Sequence, residues 1–94
     1  MSRFITTFDT CCIDLDKIVC IKFTPEYDTV LSIYTTVPEL KLNYKNTAMD
    51  RRAIRHIIRD IRHLITNSYE QPEYFWRMLD TIERWLNEED KKNG

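Results

Sequence analysis

Five arginines, Arg51, Arg52, Arg55, Arg59 and Arg62, stand within residues 51 to 62 of a 94-residue chain. A guanidinium is a permanently charged planar fork that suits carboxylate and phosphate. The chemistry this cluster could do is anion recognition rather than bond making. Around it, Ile54, Ile57, Ile58, Ile61, Leu64 and Ile65 recur at the three-and-four rhythm of a buried helical stripe. At about 100° per residue measured from Ile54, the arginines fall at about 60° to 160°, His56 and His63 at about 180° to 200°, and Asp60 near 240°. They form a band on one flank. Arg51 with Arg55, Arg52 with Arg55, Arg55 with Arg59 and Arg59 with Arg62 are like-charge neighbours, each costing an isolated helix roughly 0.2 to 0.5 kcal/mol. Something anionic must therefore answer the band.

Three answers are open. Glu73, Asp80 and Glu83 on a second helix could pair with the arginines inside the chain. A phosphate ligand or nucleic-acid backbone could lie along the row. An acidic patch on a protein partner could dock there, since Arg is enriched at interface centres. Tyr69, Tyr74 and Trp76 cluster near the start of the second helix. An aromatic-plus-Arg mixture is what interface hot spots contain, although the same rings could simply close the end of the core. The candidate interaction set is Arg51, Arg52, Arg55, Arg59, Arg62, Trp76 and Tyr69.

Other reactive types carry less. His56, Asp60 and His63 share one helical face and could present two imidazoles and a carboxylate to a divalent metal, but the adjacent arginines would repel the cation. Cys11, Cys12 and Cys20 form no even framework and fit reduced thiols, read as small buried hydrophobes with only Lys17 and Lys22 near enough to lower a pKa. The pairing of Arg51 with His56 resembles the Arg-and-His motif of helical ribonucleases, yet those domains are all-helical and the first half here is strand-rich. No acid–base pair or phosphate loop supports an enzyme. No metal and no cofactor is expected.

The elements that position these residues come from pattern. Phe4 to Phe8 alternates, Cys12 to Leu15 follows a turn at Asp9-Thr10, and Ile18 to Phe23 is an apolar run broken by one lysine. Thr24-Pro25-Glu26-Tyr27-Asp28 reads as a hairpin connection before the β-branched run Thr29 to Val37. Leu40, Leu42 and Tyr44 alternate with Lys41, Asn43 and Lys45, the pattern of an antiparallel strand with one wet face. Thr47-Ala48-Met49-Asp50 has the form of a capping box. Pro72 suits the first turn of a second helix, whose stripe is Phe75, Met78, Leu79, Ile82, Trp85 and Leu86.

The expected fold is α+β: an antiparallel β-meander of about four strands followed by two amphipathic α-helices packed on one sheet face. It is one domain, with a sheet over 1–45, the Arg-rich helix over 47–67, a C-terminal helix over 72–88 and a frayed tail over 89–94. A hydrophobic fraction of 43% and charged fraction of 31%, with one glycine, exclude a linker or disordered chain. No long apolar run or basic-then-apolar leader is present, so neither a membrane span nor a signal peptide is expected, and the cytoplasm is the expected compartment. Net charge is −1, but residues 1–50 sum to −2, 51–68 to +4 and 69–94 to −3. A pI of about 6.1 and the lack of any basic run outside the helix weigh against nucleic acid.

The expected function is non-enzymatic protein binding, as an inhibitor, adaptor or subunit, with self-association through an exposed sheet edge also open. In size and lack of motifs the chain is similar to the small inhibitors that phages and mobile elements encode against host defence complexes, a similarity of type that attaches to no particular residues. The alternative is a nucleic-acid or phosphate binder using the same arginines.

Overall fold

The computed structural model describes residues 4–6, 12–14, 17–37, 39–66 and 73–93. Its elements are β1 (Phe4–Thr6), β2 (Cys12–Asp14), β3 (Ile18–Phe23), β4 (Thr29–Thr35), β5 (Lys41–Lys45), α1 (Ala48–Thr66) and α2 (Glu73–Asn93). This is an α+β fold, a three-stranded antiparallel sheet β3-β4-β5 followed by two helices.

The single meander of about four strands is corrected. β1 and β2 pair with each other, Ile5 opposite Ile13, as a separate two-stranded ribbon, and β1 lies alongside α1. Alternation in a sequence specifies which residues share a face of a strand, not which strand lies beside it. β4 also stops at Thr35, short of the expected Val37. The Thr35 hydroxyl lies 2.9 Å from the Val37 carbonyl oxygen and 2.8 Å from that of Leu40, and it accepts the Val37 N–H, which bends the chain out of the ladder.

Register explains the two faces of the sheet. Ile21, Ile33 and Leu42 form one cross-strand row and Phe23, Leu31 and Tyr44 another, all on the core side. Lys22, Ser32 and Asn43 form a row on the opposite side, as do Cys20, Tyr34 and Lys41. Register shifts between Ile18 and Cys20 and between Thr29 and Leu31 offset the ladder. Cys20 is exposed, which corrects the expectation of a small buried hydrophobe: it occupies the outward phase of β3. Cys11 lies outside the described residues.

The core joins the inward sheet rows to Ala53, Ile54, Ile57, Ile58, Ile61 and Ile65 of α1 and Leu79, Ile82 and Leu86 of α2, with Phe23 and Trp85 meeting edge to face at 5.6 Å. These are the stripes the helical spacing selects, so α1 is fixed by burial and not by propensity alone. At its start the Thr47 hydroxyl accepts the Asp50 N–H at 3.1 Å, as a capping box requires. The Asp50 carboxylate does not complete the box at Thr47; it accepts the Lys45 N–H at 2.7 Å and ties the end of β5 to the helix.

α2 continues to Asn93, five residues past the 72–88 expected for the C-terminal helix. Asp90 is held by two arginines of α1, Glu89 pairs with Lys92 at 3.6 Å, and Lys91 and Lys92 complement the C-terminal carbonyls.

Candidate interaction surface on the first helix

The arginine band splits along its length. Arg51, Arg55 and Arg62, nearest the core at about 60° to 100° from Ile54, face α2. Arg51 is nearly buried, its Nε donating to Asp90 at 3.3 Å and its Nη1 to Asn46 at 2.7 Å. Arg55 donates to the other Asp90 oxygen at 2.7 Å and to Asn87 at 3.2 Å. Arg62 donates to Glu83 at 3.0 Å and to Asp80 at 2.9 Å, with its guanidinium 5.7 Å from the centre of the Trp76 ring. Partial burial works against charge on Arg62, but hydrogen bonding to Asp80 and the field of Glu83 outweigh it, and the pKa lies above its ordinary value.

This seam is antiparallel. Asp80, Glu83, Asn87 and Asp90 recur along one strip of α2, and Arg62, Arg55 and Arg51 meet them in reverse order. Of the acids expected to answer the band, Asp80 and Glu83 do so, whereas Glu73 pairs with Arg77 of its own helix at 3.0 Å. Asp90, Asn87 and Asn46 escaped sequence reasoning. The first two lie in phase with Asp80 and Glu83, Asn87 inside the 72–88 expected for the second helix and Asp90 just beyond it.

Arg52 and Arg59, at about 160° and 140°, are exposed and make no hydrogen bond or ion pair among the described residues. One turn before Arg52 stands Met49, 72% exposed. His56 and His63 share this outer side, His56 lying 3.5 Å from Asp60. Met49, Arg52, His56, Arg59 and His63 thus follow one another at alternating three- and four-residue steps along one solvent-facing strip. Among the described residues no group of three or more His, Cys, Asp or Glu is placed to hold a metal. Trp76 is half-buried against the core and covered by Arg62, so it belongs to the seam, while Tyr69 lies outside the described residues.

A second surface is the outward face of the sheet. An open concavity of about 440 Å³ there is lined by Lys22, Thr24, Tyr27, Thr29, Ser32 and Tyr34. The Lys41 ammonium sits 4.7 Å above the Tyr34 ring, and the Ser32 hydroxyl donates to Asn43 at 3.0 Å. Its sequence signals are Lys22, the lysine that breaks the apolar run of β3, and the Lys41, Asn43, Lys45 alternation of β5.

No protein-family model, curated protein or solved structure matches this chain. No helix among the described residues is long and apolar enough to cross a membrane.

Proposed function

We propose that the chain is a non-enzymatic protein-binding module, an inhibitor or adaptor of a larger complex, and that it works through the outer strip of α1. One observation carries this reading: on a helix whose other flank is engaged by α2, Arg52 and Arg59 have no hydrogen-bond or ion-pair partner among the described residues, and Met49 one turn before Arg52 is exposed. Among the described residues no acid pairs with them, whereas α2 supplies acids to Arg51, Arg55 and Arg62. Two guanidiniums and a flexible thioether side chain suit an acidic partner surface with an apolar centre. The candidate set narrows accordingly from seven residues to Arg52 and Arg59, with Met49 added.

The test is affinity capture from extract of the producing cells, with wild type beside Arg52→Glu/Arg59→Glu. The expected result is a specific partner held by wild type and lost in the variant, with both chains melting alike. A partner retained by the variant would overturn the reading. Nucleic acid draws on the same two arginines, and then anisotropy on single- or double-stranded probes would show a log–log salt slope of about −1 to −2, against roughly −4 for the whole band.

A further inference from the structure

We propose that the chain self-associates, the β3–β4 hairpin tip Glu26-Tyr27-Asp28 of one copy seating on the Met49, Arg52 and Arg59 strip of a second. This rests on the outer strip of α1 being an interaction surface, and it names a second copy of this chain as an occupant.

The two surfaces are complementary in kind. Met49 at 72% and Tyr27 at 69% are the most exposed large apolar side chains among the described residues. Each stands beside two charges of one sign that have no partner among the described residues, Glu26 and Asp28 beside Tyr27 and Arg52 and Arg59 along the strip that begins at Met49. Glu26 and Asp28 flank Tyr27, both exposed, while Arg52 lies one turn beyond Met49 and Arg59 two turns further. A tyrosine ring seated against a thioether, with carboxylates meeting guanidiniums along one side of it, is an apolar contact with a charged flank.

The surfaces are also disposed to close on themselves. The tip is held by Tyr27 N–H to the Thr24 carbonyl at 3.2 Å and by the Thr24 hydroxyl to the Thr29 carbonyl at 2.8 Å, so its three outer side chains project from a fixed turn. Thr29, the residue that closes the tip, lies opposite Lys45 in the β4–β5 register, and Asn46-Thr47 leads from there directly into α1. The hairpin tip and the first turn of α1 therefore stand at the same end of the fold. A twofold axis at that end lets each tip reach the other copy's strip, an isologous contact in which both interactions form together. The contact is small and charge-rimmed, which places it among weak, salt-sensitive interfaces.

Sedimentation velocity of the full chain from about 10 µM to about 1 mM, at low and high salt, reads this directly. Wild type is expected to pass from monomer to dimer with concentration, and affinity to fall at least about tenfold in high salt. Glu26→Lys/Asp28→Lys and Arg52→Glu/Arg59→Glu should each sediment as monomers. None of the four side chains makes a hydrogen bond or ion pair among the described residues, so both variants should melt like wild type. An equimolar mixture of the two should recover a dimer, because reversed tips then meet reversed strips. A wild type monomeric throughout, a dimer that either variant retains, or a mixture that stays monomeric would overturn the proposal. If wild type is monomeric yet Arg52→Glu/Arg59→Glu still abolishes capture of a different protein, self-association fails while the outer strip stands as a binding surface.

Discussion

The two flanks of α1 carry the same residue type on the same helix and have opposite fates. Arg51, Arg55 and Arg62 meet Asp80, Glu83, Asn87 and Asp90 across the α2 seam, while Arg52 and Arg59 meet solvent. Only about 40° to 100° of helical rotation separates the two groups. A charge band is therefore two objects whenever a neighbouring helix covers part of it. The covered part orients the packing of α1 on α2, and the uncovered part is what a partner can reach.

Reversing charge at Arg51 should sharpen this contrast most. Arg51→Glu sets a carboxylate beside Asp90 in a nearly buried site and leaves Asn46 without its donor. The expected cost is about 3 kcal/mol, a fall in melting temperature of roughly 12 to 24 °C. A thermal melt followed by circular dichroism measures it, and a fall of less than about 3 °C would mean that Arg51 does not hold the seam. Arg62→Ala removes two partly exposed ion pairs and the cover on Trp76, and should cost about 1 kcal/mol, seen as roughly 4 to 8 °C and a change in tryptophan fluorescence. A double-mutant cycle between Arg55 and Asp90 should return a coupling of about 0.5 kcal/mol, reduced by salt because half of the Asp90 side chain is exposed. Smallest of all, Arg52→Glu should change stability by less than about 0.5 kcal/mol, since it breaks no bond among the described residues and relieves repulsion from Arg55.

Much of the helical half was legible in the sequence. Ile54, Ile57, Ile58, Ile61 and Ile65 sit in the core because a period near 3.6 leaves one face for them, and Thr47 caps α1 because a hydroxyl there reaches the Asp50 N–H. Asp80 and Glu83 were visible as partners for the band because they lie one turn apart in the second helix. Asp90 was not, because an isolated charged tail carries no apolar stripe to announce a helix, and what orders it is the arginine pair on another element. The pairing of β1 with β2 follows from a meander, but the separation of that pair from β3-β4-β5 was hidden for a related reason: alternation fixes faces, and which strand lies next to which is not contained in it. Which arginines remain exposed depended on the crossing of α1 and α2, a tertiary fact that local spacing does not contain.

The division of the helix is tested most directly by melting two double variants side by side, Arg55→Glu/Arg62→Glu against Arg52→Glu/Arg59→Glu. Net charge changes equally in both, so any difference reports position alone. The seam variant is expected to lose roughly 10 °C or more, and the outer variant to stay within about 3 °C of wild type. Equal falls in the two would contradict the division and return all five arginines to a single structural role.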